Sequence, residues 1–140
     1  NNGNWYNAPY DKTHDLSMSV TYTPSKRWEW NANFLAQTGQ PITYPVGQYE
    51  FMGTRVPNYG ARNGQRLPFY HRLDIAATLT PKKNKAKKLK GNWVFGIYNI
   101  YYRRNAATIS FRQDRETGKN QAYRLSIFGI VPSITYNIRF

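Results

Sequence analysis

The chain has 140 residues, with 20 Lys and Arg against 7 Asp and Glu, a formal net charge of +13 and a mean hydropathy of −0.75. That length holds one ordinary domain, no run approaches the ~18 apolar residues of a membrane-crossing helix, and the lack of cysteine removes disulfide and thiolate–metal frameworks. A cation excess on a small protein points to anionic partners, yet Lys82, Lys83, Lys85, Lys87, Lys88 and Lys90 fall in one short segment, the pattern of a solvated turn.

Asn1 opens a loop-like, Asn-rich stretch with no initiating Met and no charged-then-apolar leader, so a piece of a longer chain or a processed product is expected. Residues 15–23 form the first predicted strand, with Leu16, Met18, Val20 and Tyr22 opposite Ser17, Ser19 and Thr21, the two-residue repeat of a sheet with one apolar side. Pro24 and Ser25 mark a short turn. The second strand, residues 27–44, sets Trp28, Trp30, Ala32 and Phe34 against Glu29, Asn31 and Asn33. Residues 45–70, rich in Gly, Asn and Arg, read as a long polar loop. The third strand, residues 72–80, alternates most cleanly: Leu73, Ile75, Ala77 and Leu79 face away from Arg72, Asp74, Ala76, Thr78 and Thr80.

The lysine turn leads to a fourth strand at 92–111, followed by a polar loop at 113–120 and a fifth strand at 122–140. Both sides of the fourth strand are apolar; putting Asn99 and Arg103 inward selects the even residues for the outer side. In the fifth, the apolar parity shifts from Tyr123, Leu125 and Ile127 to Phe128, Ile130 and Ile134, as a bulge near Gly129, or an upper part projecting beyond lipid, would produce.

The final ten residues place Ile134, Tyr136, Ile138 and Phe140 on one side and Ser133, Thr135, Asn137 and Arg139 on the other. A tilted transmembrane β-strand needs about 9–11 such residues. Short connections (24–26 and the lysine turn) alternate with long ones (45–70 and 113–120), as in outer-membrane barrels with short periplasmic turns and long outer loops. Tyr22, Trp28, Trp93 and Phe140 then lie near the periplasmic rim, with Tyr98, Tyr101 and Tyr102 further up the fourth strand.

Several stretches, in order, resemble the C-terminal barrel region of TonB-dependent outer-membrane receptors, in the style common among Bacteroidetes. Tyr10-Asp11-Lys12-Thr13-His14-Asp15-Leu16 is similar to an Asp…His-hydrophobic strand opening, and Gly39-Gln40-Pro41-Ile42-Thr43 to a Gly-x-Pro strand end. The run from Arg62-Asn63-Gly64-Gln65-Arg66-Leu67-Pro68 to Phe69-Tyr70-His71-Arg72-Leu73-Asp74-Ile75 is the closest match. Tyr98-Asn99-Ile100-Tyr101-Tyr102-Arg103-Arg104-Asn105 resembles the segment that follows, and the stretch from Pro132 to Phe140 resembles the last strand. The resemblance implies an all-β fold: a transmembrane antiparallel up-and-down β-barrel, of which residues 1–140 are the last five or so of roughly 22 strands, without the plug domain. It implies an outer-membrane location in a Gram-negative bacterium. It also implies a part in active import of a scarce, bulky nutrient: an iron chelate, cobalamin, a glycan or a peptide. The implied partners are the rest of the barrel and plug, the TonB–ExbB–ExbD system acting through the plug, the barrel-assembly machinery, outer-membrane lipid and a surface lipoprotein.

Three residue sets follow from that frame. Tyr136, Ile138 and Phe140 form the assembly signal. Arg72, Asp74, Asn99, Arg103, Asn137 and Arg139 face the lumen and plug. Tyr49, Phe51, Arg55, Tyr59 and Arg62, on the long outer loop, are the ligand-contact candidates. No cofactor or enzymatic activity is expected: His14 and Asp15 point to opposite sides of a strand, as do His71 and Asp74, and no phosphate loop follows a strand. Two other readings compete. One is a soluble basic β-protein stacking nucleic-acid bases on Tyr and Trp, disfavoured because its lysines cluster in one turn. The other is a small complete barrel, for which about three strands are missing.

Overall fold

Alternating apolar and polar residues rich in Val, Ile, Thr, Tyr and Trp favour extended chain. The computed structural model describes residues 3–82, 90–114, 118 and 120–139, and among these it is all-β with no helix. In chain order the strands are β1 (Asp15–Ser25), β2 (Trp28–Gln37), β3 (Pro41–Ile42), β4 (Pro45–Phe51), β5 (Thr54–Tyr59), β6 (Gln65–Arg66), β7 (Tyr70–Leu79), β8 (Lys90–Tyr98), β9 (Thr108–Gln113), β10 (Asn120–Leu125) and β11 (Val131–Arg139). They divide between two units.

One unit (Leu16–Ala36, His71–Arg104, Phe128–Phe140) is built on a five-stranded sheet of order β1-β2-β7-β8-β11. Each strand neighbours the next long strand in the chain, which is a meander. The strands are 11, 10, 10, 9 and 9 residues long. At the tight turn between β1 and β2, Ser25 Oγ accepts from Arg27 N at 3.3 Å and Trp28 N at 3.2 Å, a hydroxyl cap of the kind Ser supplies in turns.

The register assigns the faces. Ile75, Ala77 and Leu79 of β7 lie opposite Ile97, Phe95 and Trp93 of β8. Across the next pair, Ile97, Phe95 and Trp93 lie opposite Pro132, Ile134 and Tyr136 of β11. Directly opposed residues of an antiparallel pair share a face, so the odd residues of β8 belong to the apolar face. This corrects the expectation that the even residues do. The strand ends at Tyr98, so Asn99 and Arg103 carry no information about its parity. On the other side of the sheet, Thr21 Oγ1 donates to Asn31 Oδ1 at 2.8 Å, which puts the polar rows of β1 and β2 together. Phe34 of β2 reaches His71 of β7 (ring centroids 6.4 Å apart), which joins the even side of β2 to the odd side of β7.

One face is therefore apolar across all five strands, and much of it is exposed: Val20 is 55%, Phe95 39% and Ile134 69% accessible. Ala36 and Ala77 are the only hydrophobic residues buried among the described ones. A soluble domain of this length ordinarily buries about two-thirds of its surface around one core, and each large apolar side chain left in water forgoes roughly 1.5–3 kcal/mol. Among the described residues the sheet is open, with β1 and β11 as its edges, and no closed barrel is seen.

The other unit (Asn1–Asp15, Gln37–Tyr70, Asn105–Ile127) holds three two-stranded sheets, β3 with β6, β4 with β5, and β9 with β10. Two expected strands are thus shorter than read. The second ends at Gln37 rather than 44, and the fourth ends at Tyr98, with β9 beginning afresh at Thr108. The fifth expected strand is two strands, β10 and β11, separated by residues 126–130, so its parity shift is a change of strand and not a bulge. The loop expected at 45–70 contains a hairpin whose turn, Met52-Gly53, has φ of 49° and 76°. Positive φ at both central residues is the type I′ signature. Residues 83–89 of the expected lysine turn lie outside the described residues.

Candidate functional site

The polar face of the five-stranded sheet is organised around Arg72 and Asp74 of β7, which the alternation puts on one side. Arg72 Nε lies 2.9 Å from Asp74 Oδ2, Arg72 Nη1 donates to Tyr98 OH at 2.6 Å, and the guanidinium carbon sits 4.2 Å from the Tyr98 ring centre. Both carboxylate oxygens of Asp74 are used, because Oδ1 accepts Asn99 N at 2.9 Å. Asn99 follows the last residue of β8 with φ 55°, in the left-handed region that Asn tolerates better than most side chains. It is 1% exposed, its Nδ2 donates to Arg103 O (2.9 Å) and Gly129 O (3.2 Å), and its Oδ1 accepts Arg103 N (3.0 Å). Three chain segments are thereby tied at one point.

The six lumen candidates therefore separate. Arg72 and Asp74 share the polar face, joined by Asn137, which the register places opposite Asn92. Asn99 does not project from a strand at all: it is a turn residue whose amide is spent on backbone groups. Arg103 belongs to the same turn and is held there through its own backbone N–H. The Arg139 side chain lies outside the described residues, as does Phe140 of the assembly set. Tyr136 and Ile138 lie on the apolar face with Ile134 and are half exposed.

The apolar face carries aromatic groups at both ends. Near the turn between β1 and β2, Trp28 and Trp30 stack with centroids 6.1 Å apart, while Trp93 lies 4.5 Å from Tyr136. At the opposite end Phe34 meets His71, and His71 Nδ1 is within 2.7 Å of Tyr101 OH. Tyr98 and Tyr102, expected alongside Tyr101, behave differently. Tyr98 stacks under Arg72 on the polar face, and Tyr102 lies under Arg104 at 5.4 Å.

In the other unit the five loop candidates do not form one surface. Tyr49 and Phe51 share a face of the β4–β5 hairpin and are more than half exposed, with Met52 90% exposed at the tip. Arg55 pairs with Glu50 in the register and so lies on the opposite face, where its Nη1 donates to Gly118 O at 2.7 Å. Tyr59 stands at the far end of the hairpin, and Arg62 lies 4.3 Å over the ring of Tyr6. Tyr44 packs edge-on against Phe111 at 5.1 Å, and burial pushes its phenol above the usual value of 10.0.

The sequence reading passed over a second node, in which three of its motifs meet. Arg66 forms an ion pair with the Asp11 carboxylate and donates through Nη1 to Asp11 O and Gly39 O, both at 3.2 Å. A Cβ at Gly39 would run into the Leu67 carbonyl, which explains glycine there. Beside it, Asn63 is buried and donates through Nδ2 to Asn7 O at 2.6 Å. A cleft of about 190 Å³ adjoins this node, lined by Lys12, Gln37, Gln40, Pro68 and Tyr70 among others. His14 is engaged with Thr38 Oγ1 through both its backbone N (3.0 Å) and Nδ1 (3.2 Å). Among the described residues no group of three His, Asp or Glu gathers around a point. What the arrangement offers chemically is fastening and recognition: half-buried ion pairs, amide clamps and exposed aromatic groups. In comparisons with protein-family models, curated proteins and solved structures, nothing matches this chain.

Proposed function

We propose that this chain is a section of the barrel of a TonB-dependent active transporter in the outer membrane of a Gram-negative bacterium, importing a scarce, bulky nutrient. The observation that carries the membrane part is the five-stranded meander, 9–11 residues per strand, with one apolar face open across every strand. In water such a face is a liability. In a bilayer it is the required outer surface, and the strand lengths match the hydrocarbon thickness. The aromatic groups at both ends of the face suit the two interfaces. The open edges at β1 and β11 suit a larger cylinder, since unpaired edges do not persist in lipid.

The transport part rests on the resemblance of the ordered motifs, and two features of the fold support it. Motif residues fasten to one another: Asp11, Gly39 and Arg66 in one unit, Asp74 and Asn99 in the other. The tight turn between β1 and β2 is followed by a connection that bears the β4–β5 hairpin, and β8 by one that bears the β9–β10 pair. On this reading Arg72, Asp74 and Asn137 face the lumen, and Tyr49, Phe51 and Met52 are presented outside.

Brominated lipid tests the membrane part. Trp30 and Trp93, 45% and 40% exposed on the apolar face, are expected to lose fluorescence in vesicles of lipid brominated along the acyl chain. The W30F/W93F variant should lose most of that quenching. Full fluorescence in brominated vesicles, with the protein soluble in plain buffer, would leave the basic nucleic-acid-binding reading in its place.

A further inference from the structure

We propose that the turn end of the five-stranded sheet is a binding rim for the headgroups of anionic phospholipids; this rests on the membrane-crossing reading above. Thr80 N donates to Arg27 O at 2.8 Å, which fastens the 26–27 turn to the start of the connection between β7 and β8. Lys26, Arg27 and Lys82 are consequently exposed at the same end of the sheet. The register brings Lys90 opposite Arg139 at this end as well. Three exposed cations thus share this end with a single acid among the described residues. That acid is Glu29, which lies on the polar face with its Oε1 accepting from Asn31 Nδ2 at 3.4 Å. Asp11, Asp15, Glu50 and Asp114 fall in the other unit, and Asp74 lies toward the far end of β7.

Taken alone, a few exposed cations at a turn are merely solvated. What commits Lys26, Arg27 and Lys82 to lipid is their neighbour on the apolar face. The stacked pair Trp28 and Trp30, and Trp93 against Tyr136, lie between the cations and the aliphatic stretch formed by Val20, Ile75 and Ile134. Aliphatic, then aromatic, then cationic is the order of polarity met on leaving a bilayer whose surface is negative. A nucleic acid or an acidic protein would engage the cations but give no account of the apolar stripe running straight into them. The ligand group is the phosphodiester of a lipid headgroup, with each nearby Lys or Arg adding to the attraction within about a Debye length of the surface.

The test uses the full-length protein in vesicles holding phosphatidylcholine and phosphatidylglycerol at equal mole fractions, with bromine on the acyl chains of one or the other. The quenching assigned to Trp30 and Trp93, by difference from W30F/W93F, is expected to be about twofold or more stronger with brominated phosphatidylglycerol at low salt. High salt should erase the bias, and K26A/R27A/K82A should reduce it by at least half. Equal quenching by both lipids would overturn the anionic rim while leaving the membrane reading standing. A bias that the triple variant leaves intact would overturn the assignment to these residues. Quenching by neither lipid would overturn the membrane reading and this inference with it.

Discussion

Asn99 shows most clearly how a single side chain holds this fold. Its amide replaces three backbone partners that a chain leaving a strand would otherwise need from water, and its φ of 55° turns the chain at the point where Asp74 can accept its N–H. Asn99→Ala removes two donors and an acceptor from a buried site and puts a Cβ-bearing residue without a compensating bond in left-handed backbone. The expected cost is about 2–4 kcal/mol, read as a lowered unfolding temperature of the extracted protein. Asn99→Gly, which keeps the backbone conformation and loses only the bonds, should fall between the two. The Arg66 node gives a second residue-level expectation. Arg66→Lys keeps the charge but loses the fork that serves Asp11 and Gly39 together, so it should destabilise the unit almost as much as Arg66→Ala. Little of this was legible in the sequence. Alternation extended past Tyr98 makes Asn99 a lumen residue, although an Asn in mid-strand is itself a hint of left-handed backbone. Arg66 stands out in the sequence only as part of a motif, since its partners lie 55 and 27 residues away.

At the scale of the element, legibility followed how sharply the two sides of a strand differ. In β7 the alternation of Leu73, Ile75, Ala77 and Leu79 with Arg72, Asp74 and Thr78 leaves one solution, and the register agrees with it. In β8 both Phe95 and Val94 are apolar, and only pairing with β7 and β11 decides between them. On the membrane reading this decision has a direct consequence. Phe95→Lys puts a charge on the lipid side near mid-strand, at a cost of about 2–4 kcal/mol, and should abolish assembled protein in the outer membrane. Val94→Lys, on the polar face, should leave the yield largely intact, and blotting of membrane fractions checks the pair. The β4–β5 hairpin was missed although its signal was present: Tyr49 and Phe51 alternate with Gln48 and Glu50 up to a glycine. The length and polarity of the segment masked a period of only a few residues. Its I′ turn is imperfect, because Met occupies a position that favours Asn. Met52→Asn should stabilise the hairpin by about 0.5–1 kcal/mol, visible as slower cleavage at its tip by protease.

For the molecule as a whole, the same amino acids give two kinds of order. The five-stranded sheet has strands long enough to cross a bilayer and an apolar side that is largely exposed among the described residues. The other unit is held by short hairpins, buried Asn63 and ion pairs, which is how polar segments keep shape without a core. The all-β character and the meander were legible because strand-forming segments recur with turn residues between them. Closure was not, because a cylinder depends on what pairs with the outer edges of β1 and β11.

The proposal that these strands complete a large outer-membrane cylinder meets its most direct test in gel mobility. The protein is extracted in mild detergent, run unheated and boiled, and detected with an antibody to residues 67–75. A closed barrel resists detergent until heated, so a large species whose mobility changes on boiling is the predicted result. A heat-insensitive band near 16.4 kDa, obtained without detergent, would contradict the account, because it would mean that this sheet stands alone in water.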